Sequence, residues 1–171
     1  MILIKSFRLI LIMMISIAYS SCGIYSFKGN NPPDGIKTIS VPLFTDNSGF
    51  AEYGIREKFT EILKNKIISD NTLRLVEKTS ADGVLNCTIN SVRDEALVIS
   101  GAENVTKRKI VISVNVIFDN LKKQKKVWER TYENWGEYNS SSNSFSEREI
   151  GINLARDKIT EDILNDIISN W

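Results

Sequence analysis

The thiol at position 22 is the group in this chain whose surroundings give it a reaction. Lys5 and Arg8 place positive charge at the start, and Leu9 to Tyr19 (LILIMMISIAY) is apolar apart from Ser16. Ala18, Ser20 and Ser21 are the small residues a signal peptidase needs before its cut. A cysteine directly after such a segment is the pattern of lipoprotein processing. The Cys22 thiol would take a diacylglycerol and become the acylated first residue of the mature chain. Tyr19 stands where such signals usually carry Leu. The apolar run is too short for a spanning helix, which needs about 20 apolar residues. Attachment is therefore expected through acyl chains, each buried methylene contributing roughly 0.8 kcal/mol.

Beyond Cys22 the sequence offers little for covalent chemistry. It contains no histidine, which removes the commonest general base and metal ligand together. It holds no phosphate-binding GxxxxGK[ST] loop, no GxSxG elbow, no CxxC pair and no HExxH. No catalytic residue, metal site or cofactor is assigned, and an enzyme is not expected. With Cys22 acylated, Cys87 has no partner for a disulfide. Its place in an alternating run reads as a small buried apolar residue.

These features divide the chain into a signal peptide (1–21), a lipidated tether (22–35) and one α+β domain (36–171). Removing Lys5 and Arg8 from 22 basic residues leaves 20 against 21 acidic, a net of −1 for the mature part. That balance argues against a nucleic-acid partner. In the tether, Ile24, Tyr25 and Phe27 are apolar enough to pack on the domain or lie at a membrane surface, and Pro32-Pro33-Asp34-Gly35 is turn chemistry.

Hydrophobic spacing supplies the elements. Lys37 to Phe44 alternates, with Ile39, Val41 and Leu43 expected on one face and Pro42 marking an edge. Thr45 to Gly49 reads as a loop. Glu52 to Ile68 reads as an amphipathic helix with Ile55, Phe59, Ile62, Leu63 and Ile67 in one stripe, stopped by Asp70-Asn71. Leu73 to Val76 is a short strand, and Ala81-Asp82-Gly83 is a turn. Val84 to Ile99, Lys107 to Phe118 and Val127 to Tyr138 form an antiparallel meander, joined by turns at Gly101–Asn104 and Asp119–Lys126. Ser144 and Glu147 fit a capping box that opens a second helix, with Ile152, Ala155, Ile159, Ile163 and Ile167 as its stripe. The expected fold is α+β: two helices packed on one face of a four- to five-stranded mixed, mostly antiparallel sheet.

Three groups could meet a partner. Lys107, Arg108 and Lys109 open the strongest strand, with Arg93 across the hairpin. Alternation sends Arg108 to the opposite face from the two lysines. Such a cluster suits a phosphate headgroup, Arg best of all; the plainer reading is a polar strand end. Lys122, Lys123, Lys125 and Lys126 crowd one turn, which could contact phosphate groups of lipid or nucleic acid; the plainer reading is solvated charge that discourages edge pairing. Trp135 falls on the opposite face from Trp128 and Tyr132, which makes it the aromatic candidate for a partner contact.

The order of several landmarks resembles a known family. Cys22-Gly23 with Tyr25-Ser26-Phe27, the strand Thr38 to Phe44 with Asn47, Ala81-Asp82, the Ile110–Phe118 strand, Trp128 and a closing helix near Trp171 are similar to the lipopolysaccharide-assembly lipoproteins, LptE, in the short form of Bacteroidetes-like bacteria. The resemblance implies a lipid-anchored protein on the periplasmic face of the outer membrane. It implies a plug inside the β-barrel LptD that helps the barrel assemble and helps deliver lipopolysaccharide to the outer leaflet, without covalent chemistry. It implies two helices on a four-stranded mixed sheet. Family members place basic residues near a hairpin tip to meet lipid A phosphates; here Gly101–Asn104 carries none, and Lys107, Arg108 and Lys109 are nearest. The competing expectation is a periplasmic lipoprotein adaptor or activator of an envelope enzyme.

Overall fold

A computed structural model describes residues 35–100, 104–140 and 145–169. Cys22, the tether up to Asp34, the tip residues 101–103, Ser144 and Trp171 lie outside the described residues.

In chain order the elements are β1 (Thr38–Ser40), β2 (Thr45–Asp46), α1 (Ile55–Asp70), β3 (Arg74–Leu75), β4 (Gly83–Ser100), β5 (Asn104–Asn120), β6 (Lys125–Asn139) and α2 (Phe145–Ile168). A 3-10 turn at Lys78–Ser80 leads into β4. The sheet has six strands in the order β3-β1-β4-β5-β6, with β2 also on β4. β1 runs parallel to β3 and β4, and β2 runs parallel to β4. β4, β5 and β6 form the antiparallel meander. The expected class therefore holds, with one strand more than expected.

That extra strand comes from a break at Pro42. Proline has no N–H for a ladder, so the run from Lys37 stops pairing after Ser40 and resumes as β2. The break corrects the expected facing. Leu43 turns outward and is 50 % exposed, while Phe44 is buried. The Phe44 N–H donates to Thr60 Oγ1 at 3.0 Å, and its ring stacks on Phe59 of α1 at 5.5 Å.

Both helices cover one face of the sheet. Ile55, Phe59, Leu63 and Ile67 of α1 and all five expected stripe residues of α2 are buried against Leu85, Cys87, Ile89, Ile110, Ile112, Val114, Val116 and Phe118. Each such side chain contributes roughly 1.5–3 kcal/mol by leaving water. α1 ends at Asn71, which is left-handed (φ 61°) and returns its N–H to the Ile67 carbonyl at 3.2 Å. α2 lies across β5 and β6. Its seat depends on two glycines: a Cβ on Gly136 would stand 2.1 Å from the Gly151 carbonyl oxygen, so helix and strand backbones touch directly.

Candidate functional site

The meander has a far end, where the β4–β5 hairpin closes, and a near end, where β5 turns into β6 and the chain enters β1. Roughly 44 Å of β5 separates Lys107 from Asn120, at about 3.4 Å per residue.

At the far end, pairing register puts Arg93, Val111 and Trp135 in one row and Glu95, Lys109 and Glu137 in the next, all on the face away from the helices. Arg93 Nε donates to Glu95 Oε1 at 3.1 Å and Nη2 to Glu133 Oε2 at 3.3 Å. Lys109 pairs with Glu95 at 3.2 Å, and Lys107 with Glu137 at 3.4 Å. Glu95, bonded to Arg93 and then Lys109, is held below the usual glutamate range, and Arg93 is correspondingly raised. Three of the four cationic candidates thus share one face, each already matched to carboxylates.

Arg108 points through the sheet, as alternation predicts. Its Nε donates to Asp94 Oδ1 at 2.8 Å and its Nη2 to the Asp94 carbonyl at 3.2 Å. The Tyr138 hydroxyl donates to Asp94 Oδ2 at 2.7 Å. This half-buried triad lies on the side of the sheet that carries α2. The Asp94 carboxylate raises Arg108, and burial followed by the bond to Asp94 raises the Tyr138 phenol.

Trp135 lies on the open face as expected and is 41 % exposed. Lys158 of α2 reaches round the edge: its Nζ stands 4.7 Å from the ring centroid and donates to the Trp135 carbonyl at 2.8 Å. Leu154, packed against Gly136, and Ile150 one turn earlier on α2 are also substantially exposed. Among the described residues β6 has no strand on its outer side. The helix stripe flagged neither Ile150 nor Leu154, because they lie on the other side of α2. Their only sequence signal is being apolar where the stripe calls for polar residues.

The near end is tied together by Asp82. The N–H groups of Lys37 and Thr38 donate to its Oδ2 at 2.8 and 3.0 Å, and Lys122 Nζ meets its Oδ1 at 2.5 Å. Leu121 N–H donates to the Asp82 carbonyl at 2.7 Å. Lys122, and then the Lys37 N–H, hold this carboxyl well below the usual carboxylate range. The sequence marked Asp82 only as part of a turn; its partners lie some forty residues away on either side. Cys87 is buried as expected, and burial pushes its thiol far up, leaving it unreactive.

A lipopolysaccharide-assembly family model, LptE, matches residues 36–169. The chain belongs to the LptE family. Its place in lipopolysaccharide assembly follows from that membership. Nothing among curated proteins matches it. Solved structures share the fold at low identity. Rare lipoprotein B from Shewanella oneidensis is 14 % identical, with 77 % of this chain and 94 % of that one covered at a TM-score of 0.53. A minor lipoprotein from Acinetobacter baumannii is 15 % identical, with 81 % and 95 % covered at 0.54. The PelC dodecamer from Paraburkholderia phytofirmans is 14 % identical, with 79 % and 91 % covered at 0.52. At these identities the likeness is one of fold.

Proposed function

We propose that this LptE-family protein is a non-enzymatic outer-membrane lipoprotein that plugs a LptD-type β-barrel and assists its assembly and the delivery of lipopolysaccharide to the outer leaflet. The observation that carries this reading is the family match, which spans the whole folded domain. Acyl chains on Cys22 anchor it from the periplasmic side. The exposed edge of β6, with Trp135, Leu154 and Ile150, offers an apolar contact to the barrel.

In this reading Arg93, Lys107 and Lys109 meet lipopolysaccharide phosphates by exchange. Their present partners are exposed carboxylates, and solvent-exposed ion pairs hold only weakly. A phosphate group that accepts two N–H donors at once from Arg93 displaces such partners readily. Arg108, the fourth candidate, keeps its half-buried bond to Asp94 and acts from the other side of the sheet, fixing the strand that carries the two lysines.

The test is detergent extraction of outer membranes carrying the C-terminally tagged protein, followed by mass spectrometry of what co-purifies. A LptD-type barrel in roughly equal amount is expected. Recovery of a soluble envelope enzyme without a barrel would contradict the plug and favour the adaptor reading.

A further inference from the structure

The four-lysine turn and the point where the tether enters the domain are the same place. β1 begins level with the β5–β6 turn: Ile39 pairs with Gly83, Gly83 with Asn120 and Asn120 with Lys125. Asp82 holds Lys37 with one carboxylate oxygen and Lys122 with the other. From Gly35 back to Cys22 is thirteen residues, at most about 45 Å of extended chain. If Cys22 is acylated, the segment leading to the membrane leaves the domain beside this turn.

The turn also differs from the far end in its charge pairing. Lys122 is matched by Asp82, and Lys126 by Glu129 with Asp119 nearby. Glu77 stands at the neighbouring 3-10 turn. Exposed Lys123 and Lys125 have no acidic partner among the described residues, and Lys37 adds a third exposed ammonium. The backbone presents them rigidly. Lys123 N–H donates to Asn120 Oδ1 at 2.9 Å, Gln124 is left-handed (φ 49°), and Leu121 is bonded to Asp82.

We infer that the β5–β6 turn is a second membrane contact, in which Lys123 and Lys125 meet anionic phospholipid headgroups of the leaflet that holds the acyl chains. The inference rests on the proposed acylation of Cys22. The diacylglycerol on Cys22 would hold the chain at the membrane, and a basic patch beside the tether would fix which end of the domain faces the surface. Each lysine near an anionic surface adds about fivefold in partitioning, and the attraction fades over about 8 Å at physiological salt.

The test uses the full mature chain with Cys22→Ser, so that only protein–surface contact is read, on vesicles with and without phosphatidylglycerol. Binding to phosphatidylglycerol vesicles that weakens with salt is expected. Lys123→Glu with Lys125→Glu should lower it at least tenfold. Arg56→Glu with Lys64→Glu, the same charge change on α1, should lower it less than threefold. Equal loss in both pairs, or equal binding to neutral vesicles, overturns the inference. The vesicles contain neither barrel nor lipopolysaccharide. Vesicle binding without a co-purifying barrel would therefore retain the turn and sink the plug, and metabolic palmitate labelling reads Cys22 separately.

Discussion

The two ends of the meander are both rich in lysine and arginine, yet only one of them presents unneutralised charge. At the far end Arg93, Lys107 and Lys109 are laced to Glu95, Glu133 and Glu137 across three strands. At the near end Lys123 and Lys125 stand on a tight turn with no acidic neighbour in reach among the described residues. A count of basic residues would rank the ends alike. Cross-strand register separates them, because it sets Glu95, Glu133 and Glu137 beside the far-end cations, whereas the turn leaves Lys123 and Lys125 exposed. In the proposed reading the far end exchanges one anion for another, and the near end is drawn to a charged surface.

The strongest way to break this comparison is to unseat α2 from the far end. Gly136→Ala forces apart backbones already in contact, at an expected cost of about 3 kcal/mol and a fall in Tm of about 10 °C by near-ultraviolet circular dichroism. The near end answers to Asp82. Asp82→Ala strips two backbone donors of their acceptor, and a loss of about 2 kcal/mol is expected in urea unfolding. Acid sharpens the same point. The folded carboxyl sits well below its unfolded value of about 3.9, so its stabilisation is fully present above that pH and is lost progressively as pH falls from there toward the lower folded value. The urea midpoint should therefore begin to drop below about pH 5 and keep falling below about pH 3, and drop less in Asp82→Asn. The smallest change in stability is expected for Glu95→Gln, whose ion pairs are solvent-exposed. That variant frees Lys109 and leaves Arg93 its ion pair with Glu133, and should raise lipopolysaccharide affinity severalfold by calorimetric titration.

Legibility in the sequence followed the range of the interactions. The α2 stripe, the turn at Asn71 and the opposite facing of Arg108 and Lys109 are set by neighbours within a few residues, and periodicity reveals them. Leu43 was misplaced because one proline reset the alternation, and only the Thr60 and Phe59 contacts show where Phe44 then goes. The partners of Arg93 and Lys109 depend on strand register, which a single sequence does not encode visibly. Gly136 against Gly151, and Lys122 against Asp82, join residues too far apart in sequence for any local pattern. The candidate cations were thus readable as residues, and their neutralisation was not.

Photo-crosslinking in living cells from two positions, Trp135 at the far end and Lys123 at the near end, reads the two contacts directly. An adduct between position 135 and a LptD-type barrel is expected, and lipid adducts without barrel from position 123. Barrel adducts from 123 with none from 135 would contradict that arrangement.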